Sequence, residues 1–184
     1  MKKKIVIILF FLVIGNIDIN AQTNLKDNDA FCDQYSKIVE LISNDSIARI
    51  EFPFKNFAFQ IDSKLSFGIG FPFMTRFYIA ETLGIDPKNL DLKDSVVIKL
   101  WIETEKEDYN KRKIFENSLC LTEIQGKESD YNVYLSFSRK SDKVVFVNAS
   151  RIYKYPRHTN GIFYLFFFNE NNNIDKIYRD NWIE

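Results

Sequence analysis

The chain has 184 residues, with 25 lysines and arginines against 25 aspartates and glutamates, and so carries no formal net charge. A length of that order fits one domain, and balanced charge leaves no electrostatic footprint for nucleic acid or for an anionic membrane surface. His158 is the single histidine, which excludes any site built on two or more imidazoles.

Met1 to Ala21 opens with Lys2, Lys3 and Lys4, runs through an apolar block from Ile5 to Ile14 and closes on Ile19-Asn20-Ala21. That is the layout of a cleavable secretory signal peptide. The block is too short to span a bilayer, which takes roughly 20 residues. The expected product is exported, periplasmic or extracellular, with no membrane span in the mature chain. Residues 22–28 are expected to form a flexible segment, and 29–184 a single domain. Loss of Lys2, Lys3, Lys4 and Asp18 with the signal leaves the mature chain slightly acidic. Cys32 and Cys120 both lie in the exported part. In an oxidising compartment they are expected to form one disulfide or to pack as two separate buried thiols. The 18 phenylalanines fit an ordinary core.

From Asp29, the expected N-cap, Phe31, Tyr35, Ile38, Val39 and Ile42 fall on one face of an amphipathic helix that stops at Ser43-Asn44. Three alternations then predict strands. The first is Ile50, Phe52 and Phe54, placed at a sheet edge by Pro53; the second is Phe57, Phe59 and Ile61. The third is Leu65, Phe67, Ile69, Phe71 and Phe73, with Ser66, Gly68, Gly70 and Pro72 leaving its other face nearly bare. A bare face permits close approach by a ligand or marks strand curvature, and on it rest the candidate ligand contacts Phe67, Phe71 and Phe73. Thr75 to Leu83 predicts a helix ended by Gly84 and Asp86-Pro87.

Val96, Ile98, Leu100 and Ile102 alternate within Ser95 to Glu105, which predicts a half-buried strand. On it Glu103 and Glu105 share a face at a separation that overlaps glycoside hydrolysis. Ile114 to Ile124 fits helix and strand equally, and Gly126 to Asp130 reads as a turn. A strand through Val133, Leu135 and Phe137 and a long one from Lys143 to about Tyr155 follow. The closing segment pairs the apolar run Ile162 to Phe168 with a last strand across an Asn171-Asn172-Asn173 tip. A continuous apolar run reads as a strand covered on both faces.

The sharpest enzymatic arrangement pairs Cys32, on the first turn of a helix, with His158 far downstream and polar residues such as Asn181 beyond it, an order that resembles papain-type peptidases. Phe31-Cys32-Asp33-Gln34 lacks that family's local signature, Asp33 opposes a thiolate, and His158 sits in a turn between Pro156-Arg157 and Asn160-Gly161. No metal set and no cofactor motif is read.

The Asp29 helix followed by Asn44-Asp45-Ser46-Ile47-Ala48-Arg49-Ile50-Glu51-Phe52-Pro53-Phe54 resembles the opening of small exported bacterial domains of the NTF2-like or cystatin-like kind. The resemblance implies an α+β fold in which a curved antiparallel sheet wraps the helix, and a superfold that hosts enzymes, inhibitors and binding modules. The expected architecture is therefore α+β with the Asp29 helix on such a sheet and Ile162 to Phe168 as a central strand. A mostly β barrel or sandwich is the alternative. The expected function is an exported non-catalytic binding or interaction domain with a protein or envelope partner. Alternatives are a carrier of a small apolar ligand in a helix–sheet pocket and, behind it, a thiol hydrolase.

Overall fold

The computed structural model describes residues 31–68, 72–111, 113–125, 130–141, 143–152 and 160–183, with the backbone alone at 72 and 73. The predicted signal peptide, the flexible 22–28 segment, the Asp29 cap, most of the 126–130 turn and His158 lie outside these residues.

The fold is α+β, with helices and one open six-stranded mixed sheet. In chain order the elements are α1 (Cys32–Asn44), α2 (Ser46–Glu51), β1 (Phe59–Ser66), α3 (Pro72–Leu83) and a 3-10 turn (Pro87–Asn89). Then come α4 (Ser95–Lys111), β2 (Phe115–Asn117), α5 (Leu119–Gln125), β3 (Val133–Ser138), β4 (Val144–Arg151), β5 (Asn160–Phe168) and β6 (Ile174–Ile183). The strand order is β2-β1-β3-β4-β5-β6. All neighbours are antiparallel except β1 and β3, which run parallel from Phe59↔Val133 to Ser66↔Ser138. The sheet is thus mixed, not purely antiparallel, and it does not close into a barrel. Two helices, a short strand and a third helix separate β1 from β3, length enough for the crossover that a parallel pair requires.

β5 has both faces covered. Ile162, Tyr164, Phe166 and Phe168 join a buried cluster with Tyr35, Ile38 and Ile42 of α1 and Leu121 of α5. Phe163 and Leu165, on the other face, cluster with Met74 of α3, and Phe77 and Tyr178 pack against that group. β5 is therefore core, and α3 supplies its second cover, whereas no residue of β6 is fully buried. β5 stands next to the edge strand β6, away from the middle of the sheet. Gly161 lies where β4, β5 and β6 crowd together: a β-carbon there would collide with the Ala149 carbonyl and the Trp182 indole. At the hairpin tip Asn172 takes φ 57°, the left-handed conformation that asparagine tolerates.

Several predicted strands differ. Ile50-Phe52-Phe54 is not a strand: Asp45 caps α2 through a 3.1 Å bond from the Ile47 N–H, and Ala48 and Phe52, four residues apart, turn inward together. The second alternation is β1, but it ends at Ser66, so Phe67 lies in a bend, Phe71 falls outside the described residues and Phe73 belongs to α3. Ser95 to Glu105 is helix. The long Lys143 strand stops at Arg151, because its partner β3 begins at Val133, the residue opposite. The undecided stretch contains both β2 and α5. α3 matches its predicted helix, ended by Gly84 at φ 67°.

Candidate functional site

Exposed apolar residues line a concave surface on α4. Asp94 starts this helix, its carboxylate accepting from the Val96 N–H at 2.7 Å and its carbonyl from the Ile98 N–H at 2.9 Å. Val97, Leu100, Trp101, Thr104 and Asp108, at helical spacing, turn inward. Val97 joins Ile79 of α3 and Leu90 in a small third cluster, against which Leu100 and Trp101 pack. Ile98 and Ile102, one turn apart, are left outside at 44% and 60% exposure, and Leu92 on the preceding loop at 50%. These residues, with Val97 and Trp101, line an open groove of about 260 Å³. The Trp101 indole N–H donates to Glu105 at 2.6 Å, which fixes the ring that forms one wall.

Two polar clusters elsewhere pair internally. Asp45, with 6% of its side chain exposed, accepts from the Tyr164 hydroxyl at 2.9 Å and from Arg179 Nε at 2.8 Å while capping α2. Burial first, and then the Asp45 charge, push the Tyr164 phenol far above its usual range. This network fastens the α1–α2 turn to β5 and β6. A cleft of about 540 Å³ beside α3 has Glu81 at its edge, taking two bonds from Lys176 Nζ at 2.9 Å and one from the Tyr178 hydroxyl. Phe77 stacks on Tyr178 with ring centroids 4.9 Å apart. Both Glu81 oxygens are thus satisfied within the protein. Burial and the Glu81 contact raise Tyr178 to about 12, and the same carboxylate raises Lys176.

The sequence-derived candidates disperse. Cys32 and Cys120 form a disulfide with Cα atoms 5.5 Å apart, tying α1 to α5, so Cys32 presents no thiolate in this state. His158 lies outside the described residues. Phe67 sits beneath the Arg139 guanidinium at 5.3 Å and borders a polar cleft of about 320 Å³ shared with Thr104, Glu107 and Asp108. Phe71 and the Phe73 side chain are not described. Glu103 and Glu105 are not a facing pair: two residues apart on a helix they diverge, one towards Lys99 at 3.9 Å and the other to Trp101.

Alternate apolar residues in 96–102 mimic a strand, a pattern that faces Ile98 and Ile102 inward where the structure exposes them. The helical signal was present in Lys99…Glu103 and Glu107…Lys111, both at i, i+4 and both paired in the structure. Among the described residues no group of three or more His, Cys, Asp or Glu side chains could hold a metal ion, and no helix is long and apolar enough to cross a membrane. No family model, no curated protein and no solved structure matches this chain.

Proposed function

We propose that the protein is an exported, non-catalytic interaction domain that receives an apolar segment of a protein partner in the α4 groove. The observation that carries this reading is the groove itself: Leu92, Ile98 and Ile102 stand exposed around the fixed Trp101 ring. Its volume, about 260 Å³, falls below the roughly 300–1,000 Å³ of small-molecule sites and suits one or two anchoring side chains of a partner. Tryptophan is among the residues that carry most of the binding energy at protein interfaces. The disulfide and the lack of a membrane-crossing helix among the described residues are compatible with export. A helix leading into a sheet also fits kinship with NTF2-like or cystatin-like domains, superfolds that include binding modules.

The alternative, a carrier of a small apolar ligand near Phe67, Phe71 and Phe73, has less in its favour. Side chains of α1, α5 and the sheet fill the space between helix and sheet, and the cleft beside Phe67 is polar.

A selection of groove ligands from a random peptide library tests the reading. Titration followed by Trp101 fluorescence in a Trp182→Phe background reports on the groove alone. Peptides with one or two apolar anchors are expected to bind, and Ile98→Asp to weaken them at least roughly tenfold. Selected peptides that bind Ile98→Asp as well as the parent chain contradict the assignment. A stoichiometric lipid found by native mass spectrometry would favour the carrier instead.

A further inference from the structure

The sheet ends on one side in β2, three residues long, and on the other in β6, ten residues long. Among the described residues β6 pairs with β5 only. Its outer row of N–H and C=O groups is a template for another strand. Natural edges are blunted by shortness, proline, bulges or charge. β6 is long and lacks proline, and its register shift falls near Asp175, leaving Lys176 to Ile183 regular. Charge remains, as Asp175, Lys176, Arg179 and Asp180, and the order of those charges permits the strand to pair with itself.

We propose that two copies of the chain associate through β6, antiparallel about a two-fold axis at Tyr178, so that one sheet continues across both. In an antiparallel ladder alternate residues bond to a given neighbour, so the outward-bonding residues of Lys176 to Ile183 share one parity. Two identical strands then pair residues of like parity, and the axis passes through a residue. That rule excludes the register centred between Ile177 and Tyr178, which would oppose Lys176 to Arg179. An axis at Arg179 or Asp180 sets that charge against its own copy. At Ile177 it places Ile174 opposite Asp180 and Lys176 opposite Tyr178, and its one opposite-charge pairing, Asp175 with Arg179, falls at the register shift and on an Arg179 that Asp45 already holds. At Tyr178 it places Lys176 opposite Asp180, twice by symmetry, and the two Tyr178 rings side by side.

The side chains are prepared for that pairing. Asp180 is half-buried and, among the described residues, has no hydrogen-bond or ion-pair partner. Lys176 Nζ gives two bonds to Glu81 at 2.9 Å, leaving one of its three donors for an incoming carboxylate. Arg179 is not needed, since Asp45 holds it.

Sedimentation equilibrium of the purified chain tests this proposal. A concentration-dependent dimer is expected. Asp180→Lys and Lys176→Glu, each alone, set like charges opposite one another and weaken self-association roughly tenfold or more. Mixed together, the two variants restore opposite charges at both positions and form a heterodimer, which damage to the fold would not produce. Ile98→Asp leaves the dimer intact, separating it from any contact through the α4 groove. A wild type that stays monomeric overturns the proposal, as do single variants that dimerise like wild type or folded variants that do not pair when mixed. Hydrogen exchange on the wild type decides the matter should either variant fail to fold. Protection of alternate β6 amides that rises with protein concentration supports the proposal, and its absence contradicts it.

Discussion

Tyr35 shows how much one hydroxyl organises. It donates to the Ser138 carbonyl at 3.4 Å and accepts from the Lys140 N–H at 3.1 Å, so α1 is stitched to the end of β3. Burial first raises its phenol to about 12, against the Lys140 hydrogen bond, which lowers it. A folded-state value above the unfolded one, near 10, means that the stabilisation is fully present below pH 10 and is lost as pH climbs towards 12. Thermal melting from pH 9 to 12 is therefore expected to show a fall in stability that Tyr35→Phe makes shallower. The same substitution costs about 1 kcal/mol at neutral pH through the two lost bonds. Gly161→Ala is expected to destabilise by about 1–3 kcal/mol in chemical denaturation, because the added methyl must displace the Ala149 carbonyl or the Trp182 ring. Asp45→Ala removes a helix cap and leaves the Tyr164 hydroxyl and Arg179 without their shared acceptor. Arg179 still reaches solvent, which limits the loss to about 2–4 kcal/mol in urea unfolding.

Among the elements, α1, α3 and the β5–β6 hairpin were legible because one local signal governed each. Tyr35, Ile38 and Ile42 of α1's apolar face are buried with Val39 partly so, the left-handed Gly84 ended α3, and the Asn tip turned the hairpin. α4 was not legible from alternation, since Val96, Ile98 and Ile102 are exposed and the packed residues are Val97, Leu100 and Trp101. Reading the apolar residues as inward put the wrong face in the core. α2 failed for a related reason: Ile50 is 81% exposed, and its apparent partnership with Phe52 and Phe54 was only proximity in sequence. The parallel β1–β3 pair lay beyond local patterning altogether, because pairing between strands so far apart is set by the tertiary fold. Where a local rule and a buried face agreed, the element was readable.

For the whole molecule, the Cys32–Cys120 bridge spans 88 residues and ties α1 to α5 across the larger core. The chain-entropy model gives such a loop about 4–5 kcal/mol, so denaturation with and without reductant is expected to differ by a shift of that order. Under the function we propose, Ile98 and Ile102, turned outward on α4, present a surface to a protein partner. That claim is tested most directly by site-specific photocrosslinking in the producing cell, with a photoreactive residue at Ile102 in the groove and, as a control, at Ile50 on α2. The account predicts a discrete protein adduct from position 102 that Ile98→Asp abolishes, and none from position 50. Equal adducts at both positions, or none at position 102, would contradict it.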